Sequence, residues 1–235
     1  MANCSSVRAV IAALFSLTAA TAADINGTVL IERKLSRRTV TAAASSYNRG
    51  VAVELGSDID NDPLAFERSH VAVYLEGQLP SQPIRATIEQ KNRRFVPDVV
   101  VVPVGSSILF PNLDPIFHNV FSLSKSKTFE LGNYAKDQVR SVTVSKTGIV
   151  FVNCRLHANM QATIVVSPNQ WSTRTDTSGR FLLANVPPGT YTLVAWHKAV
   201  GFIRKTVEVL ENQNSTVQFA MPFDAPEVPK ALAER

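Results

Sequence analysis

Four residues with metal-binding side chains stand out in the middle of this chain: His118, Cys154, His157 and Met160. Three of them share the segment Asn153-Cys154-Arg155-Leu156-His157-Ala158-Asn159-Met160, which puts a thiolate, an imidazole and a thioether on one short loop. His118 lies upstream, just after the turn-forming residues 112–115. Two imidazoles and a thiolate in a trigonal set, with a weak axial thioether, are the ligands of a type 1 (blue) copper site. Thiolate and thioether suit Cu(I), and imidazole serves both oxidation states. Other chemistries fit these residues less well. A zinc site makes little use of thioether. A nucleophilic Cys–His pair needs the ring placed as a base beside the thiol, not three residues on along a tight loop. A buried thiol near a surface ring is the plain structural alternative.

The start of the chain bears on the thiol. Arg8 supplies a positive opening, residues 9–19 an apolar stretch, and Ala20-Thr21-Ala22 a small-residue cleavage site, so residues 1–23 are expected to leave as a signal peptide. No other stretch is long and apolar enough to span, so no membrane span is expected after cleavage. Loss of the leader removes Cys4 and leaves Cys154 as the single cysteine, in a periplasmic or secreted setting where thiols oxidise. A lone thiol there is a hazard unless it is buried or metal-bound. With 45% hydrophobic and 18% charged residues the chain is globular rather than disordered. Its formal charge of +5 is scattered. The densest basic group, Arg33, Lys34, Arg37 and Arg38, lacks interleaved aromatics and reads as a solvated loop, so no nucleic acid partner is expected.

The elements that must position the four residues are strands. Short β-prone runs cover residues 25–31, 51–55 and 70–75, and residues 77–83 read as a linker. A second block holds runs at 86–89, 99–104, 107–110, 120–123, 139–144, 148–153 and 162–166. A third holds 181–183, 191–196, 206–210 and 215–219, with turns at Asp176-Thr177-Ser178-Gly179 and Pro187-Pro188-Gly189. Many short strands with regular turns and no helical period predict an all-β protein built of β-sandwiches. The valine run 99–104 is expected to be buried on both faces or to lie at a sheet centre. His70 and His197 are expected to be structural, and Phe181, Tyr191 and Trp196 to be core residues. Asp58, Asp60 and Asp62 lack the later Gly and Glu of a calcium loop and read as a turn. Residues 223–235 carry too little apolar surface to order strongly.

Residues 84–168 resemble a cupredoxin. The Cys154-x-x-His157-x-x-Met160 spacing is that of the short ligand loop of amicyanin; plastocyanin and pseudoazurin set the Met two residues further on, where this chain has Ala162. Val104-Gly105 through Phe110-Pro111-Asn112, then Phe117-His118-Asn119-Val120, are similar to the strand and first-His loop of that family. The resemblance implies a Greek-key sandwich with one type 1 copper per chain, held by His118, Cys154, His157 and Met160. It implies that Asn119 ties the two ligand loops together. It also implies an apolar docking patch around the second His, which Leu113, Pro115, Ile116, Leu156 and Ala158 would supply. Many members carry Pro before the second His. Leu156 stands there instead and can offer an N–H to the sulfur, which predicts a higher reduction potential than that of a Leu156→Pro variant.

A second resemblance flanks the first. Thr175-Asp176-Thr177-Ser178-Gly179-Arg180-Phe181 and Val186-Pro187-Pro188-Gly189-Thr190-Tyr191 resemble the carboxypeptidase regulatory-like, transthyretin-type β-sandwich. The opening strand pair of that family resembles Ile25-Asn26-Gly27-Thr28-Val29 and Val71-Ala72-Val73-Tyr74-Leu75. The expected organisation is therefore a small sandwich of residues 24–83 and 169–222, split by insertion of the cupredoxin-like residues 84–168. That order resembles the plastocyanin-like methylamine utilisation proteins. The two resemblances imply an exported electron carrier, not an enzyme, passing single electrons between a redox protein donor and acceptor. A copper-binding or storage protein, and a structural β-sandwich module without a redox role, are the alternatives.

Overall fold

The computed structural model describes residues 22–35 and 62–221. The leader up to residue 21, the strand expected at 51–55, Arg37, Arg38, Asp58, Asp60 and the tail 223–235 lie outside the described residues. In chain order the elements open with β1 (Ala23–Ile31), a single helical turn α1 (Ala65–Arg68) and β2 (Ala72–Leu75). Next come β3 (Arg85–Thr87), β4 (Glu89–Lys91), β5 (Arg94–Val96), β6 (Val99–Pro103), β7 (Ser107–Pro111) and β8 (His118–Ser124). They are followed by β9 (Lys127–Tyr134), β10 (Val139–Thr143), β11 (Gly148–Asn153) and β12 (Gln161–Ser167). The chain continues through β13 (Ser172–Arg174), β14 (Arg180–Val186), β15 (Gly189–His197), β16 (Gly201–Val209) and β17 (Ser215–Met221). Ala23, the last residue of the expected leader, is the first residue of β1 and pairs with Val186. A cut after Ala22 keeps it in the strand.

One sandwich faces a sheet of order β14-β1-β17 with a sheet of order β13-β2-β15-β16. Strand β1 buries alternate residues, as the period of two requires of a strand with one face on a core. Ile25 and Val29 meet Val73, Leu75, Leu183, Leu193, Val209 and Phe219 there. Gly27 sits where β1 passes between its two partners. A Cβ at that position would lie 2.2 Å from Phe181 Cζ and 2.4 Å from the Val217 carbonyl oxygen. The runs expected to form an opening strand pair are not paired with each other. They lie in the two facing sheets, β1 beside β14 and β17, β2 beside β13 and β15.

The other sandwich faces β10-β7-β3 with β6-β12-β11-β8-β9. Its core includes Ile108, Phe110, Val120, Val150, Val152, Ile164, Cys154 and Met160. Its strands fall between β2 and β13, which are antiparallel neighbours with Tyr74 opposite Ser172. The chain thus leaves one sandwich at Leu75, builds the second, and returns beside the strand it left. The valine run differs in part from expectation. Its strand β6 is at a sheet edge, with Val102 in the core and Val101 half-buried against the neighbouring sandwich. A third apolar cluster of Ala72, Tyr74, Val165, Val194 and Trp196 joins the outer faces of the two sandwiches, which is why β2 is buried on both sides. No helix among the described residues is long and apolar enough to cross a membrane.

Candidate metal centre

Two loops at one end of the second sandwich carry the four candidate ligands and bring three of them together. The first loop, between β7 and β8, is shaped by Asn112. Its side-chain amide donates to the carbonyl oxygens of Ile116 (2.8 Å) and Tyr134 (3.1 Å), and its Oδ1 accepts the Asp114 N–H at 3.0 Å. This Asx turn delivers His118 as the first residue of β8, opposite Tyr134 of β9. The second loop joins β11 to β12 and carries Cys154, His157 and Met160. A turn within it closes through the Met160 N–H, which donates to the His157 carbonyl oxygen at 3.0 Å.

His118, Cys154 and His157 form a cluster whose ligand atoms all lie within 4.8 Å of one another. The two imidazoles face through Nδ1 at 3.1 Å, and Cys154 Sγ is 3.7 Å from His157 Nδ1. Bond lengths of about 2.0–2.1 Å to imidazole and about 2.3 Å to thiolate, as for zinc, set donors in a trigonal plane roughly 3.5–3.8 Å apart. The 3.1 and 3.7 Å spacings lie near that range and the third pair within 4.8 Å, so the donor set fits a metal ion. Cys154 and His118 are buried and His157 is half-buried. Met160 is buried in the same core cluster as Cys154.

The surroundings favour a deprotonated sulfur. Burial pushes the Cys154 thiol up, but hydrogen bonding from His118 and the backbone N–H groups of Asn119, Leu156 and His157 outweighs it, leaving the thiol below its ordinary range. Burial also pushes His118 down, yet its bonds to Cys154 and Asp114 hold it above the ordinary histidine value. His157 is lowered, by burial first and then by repulsion from His118 and Arg93. A neutral ring of that kind is a ready metal ligand.

Asn119 spans both loops. Its N–H donates to Cys154 Sγ at 3.4 Å, and its Oδ1 accepts the Arg155 N–H at 3.3 Å. Of the residues expected to form a docking patch, Leu113, Pro115, Leu156 and Ala158 are exposed and Ile116 is half-buried. The structure adds Phe117, 59% exposed, next to His118. It also adds Asp114, whose Oδ2 is 2.7 Å from His118 Nε2. Asp114 and His118 are four residues apart in the sequence, but Asp114 falls among turn-forming residues, and nothing local marks it as a histidine partner. Arg93 had no sequence signal, because only the fold carries the β4–β5 hairpin to this end. Outside the cluster, His197 is buried with its Nε2 3.3 Å from Glu67 Oε2, and His70 Nε2 lies 2.8 Å from Asp98 Oδ1.

No curated protein gave a significant match to the sequence. Among solved structures, a copper-containing nitrite reductase (NirK) from Thermus scotoductus SA-01 is similar at 22% identity and a TM-score of 0.33, over 37% of this chain and 23% of its own. A purple cupredoxin from Nitrosopumilus maritimus is similar at 19% identity and a TM-score of 0.32, over 35% of this chain and 99% of its own. Amicyanin from Paracoccus versutus is similar at 16% identity and a TM-score of 0.33, over 40% of this chain and 97% of its own. The match to a family model begins within β10, before the cysteine loop, and runs on through β17. Residues 141–222 match the carboxypeptidase regulatory-like domain.

Proposed function

We propose that the chain is an exported one-electron carrier in which His118, Cys154, His157 and Met160 hold a single type 1 copper. The observation that carries this reading is the convergence of His118 Nδ1, His157 Nδ1 and Cys154 Sγ at the end of a β-sandwich. Copper, when bound, supplies the one-electron couple. The protein's part is to hold the donors still. His118 and Cys154 are each fixed by buried hydrogen bonds, and Met160 is packed in the core, so little rearrangement accompanies a change of charge. The role proposed is not enzymatic.

Electrons would pass through the half-buried His157. The exposed Leu113, Pro115, Phe117, Leu156 and Ala158, with Ile116 beside them, form the apolar docking face. A small apolar contact suits a redox donor and acceptor that must separate quickly. The leader-like opening of the sequence supports a periplasmic or secreted location. Residues 24–83 and 169–222 would be one regulatory-like unit interrupted by the copper unit of residues 84–168, since β2 and β13 are neighbours across the whole interruption.

The test is copper loading of the mature chain followed by absorption spectroscopy, with Cys154→Ser in parallel. A strong thiolate-to-copper band at roughly 600 nm, lost in the variant, is expected; a colourless loaded wild type overturns the reading. Reversible one-electron cycling by voltammetry then separates a carrier from a copper store.

A further inference from the structure

The site has a feature that its metal-binding residues do not require: a carboxylate buried beneath the first imidazole. Asp114 is 4% exposed, and its Oδ2 meets His118 Nε2, the ring nitrogen on the far side from Cys154 and His157. A buried anion needs donors. Asp114 finds two in the turn of the β4–β5 hairpin, where the Asn92 N–H donates to Oδ1 at 2.6 Å and the Arg93 N–H to Oδ2 at 2.8 Å. Both turn residues have positive φ, 55° and 54°. The hairpin is a two-residue connection between Lys91 and Arg94, which in the twist-compatible form demands positive φ at both positions. Successive N–H groups in such a turn point into one concavity, a small anion-binding nest. The nest lies on a separate hairpin, neither on β7 nor on either ligand loop.

We propose that Asp114 is the positioning residue of His118, and that the Asn92–Arg93 turn, by clamping Asp114, makes the β4–β5 hairpin part of the metal site. The clamp uses both carboxylate oxygens, so the carboxylate cannot rotate away from the ring. Bonded to Oδ2, the neutral ring carries its proton on Nε2 and leaves the Nδ1 lone pair facing Cys154 and His157. The buried negative charge also sits one ring away from any cation held there. It stabilises the more highly charged oxidation state, and in this respect the inference rests on the copper reading.

Two measurements on the full mature chain decide it. Long-range 1H–15N correlation spectra of the copper-free protein report which nitrogen of His118 bears the proton. At a pH where the ring is neutral Nε2 is expected, and a neutral ring with its proton on Nδ1 overturns the proposal whether or not the chain binds copper. Copper affinities are then compared for wild type, Asp114→Asn and Asp114→Glu. Removal of the charge should weaken Cu(II) binding about tenfold more than Cu(I) binding, equivalent to a potential raised by about 59 mV for one electron. Glu, which restores the charge, should recover much of that difference. Asn values within twofold of wild type for both ions overturn the proposal. A wild type that takes up no copper defeats the copper reading instead, and the His118 spectrum still decides the positioning role. An Asn variant that does not fold leaves the decision to the wild-type spectrum.

Discussion

Replacing Leu156 by proline is a sharp test of how this sulfur is tuned. Backbone N–H groups of Asn119, Leu156 and His157 help hold the Cys154 thiol below its ordinary range. Proline removes one of them. The Leu156 side chain is 48% exposed, so little packing is lost. A hydrogen bond to a charged acceptor contributes about 1.5–3 kcal/mol. Sulfur is a diffuse acceptor, and the Asn119 bond to it is long at 3.4 Å, so about 1 kcal/mol is a reasonable scale for one such bond. The sulfur holds more negative charge when the site is reduced, so the donor favours the reduced state. At about 59 mV per 1.4 kcal/mol for one electron, Leu156→Pro should lower the potential by about 40 mV. Voltammetry of the copper-loaded chain at a fixed pH measures this, with the visible band as a check that the site is intact. In the copper-free chain, alkylation rate against pH should show the thiol titrating higher in the variant. An equal or higher potential with an unchanged band would refute the reasoning.

Three further outcomes follow from other parts of the fold. Gly27→Ala forces a methyl group against Phe181 and the Val217 carbonyl, and should cost about 1–3 kcal/mol in denaturant unfolding; an unchanged midpoint would show that β1 can shift. Burial pushes His197 down, Glu67 opposes it, and His70 adds to the lowering, so the folded-state value lies below the unfolded one. Below about pH 6.5 the unfolded chain therefore binds more protons, and stability should fall as pH drops from about 7.5 to about 5. His197→Gln should flatten that decline in thermal midpoint, and equal slopes would rule the explanation out. Trp196→Ala opens the seam between the sandwiches and should cost about 3–5 kcal/mol, and because Val165 of β12 packs in that seam it should also shift the copper spectrum; an unchanged spectrum would mean that the seam does not reach the site.

The candidate ligands were legible because their chemistry is written in residue type and local spacing. Cys154, His157 and Met160 share one loop, and no folding argument is needed to put them near each other. The all-β class was legible for the same reason, through short runs and turn residues. What escaped was set by contacts between distant segments. Val101 reads like its neighbours in the valine run, yet it packs against the apolar cluster that joins the two sandwiches. Gln90 and Phe95 give no hint that the turn between them will reach Asp114. The single helical turn at Ala65–Arg68 has no side-chain cap and is held by tertiary contacts. Asp114 itself looked like a turn former, and its Asx partner does make a turn. Its second role appears only when the hairpin supplies two N–H groups.

Strand β12 shows how the two sandwiches bear on one site. It begins at Gln161, directly after Met160, and runs antiparallel to β11, which leads into Cys154. Ala162, Ile164 and Val166 face the core that contains Cys154 and Met160, while Val165 faces Tyr74, Val194 and Trp196 of the other sandwich. One strand therefore packs into both bodies, and it emerges from the cysteine loop. Interiors packed at crystal-like density transmit displacement rather than absorb it. A second sandwich seated on the outer face of β12 thus stiffens the strand from the side opposite the metal core. That is a structural use for the flanking unit that needs no ligand of its own, and it is consistent with the seam being apolar from Ala72 to Trp196.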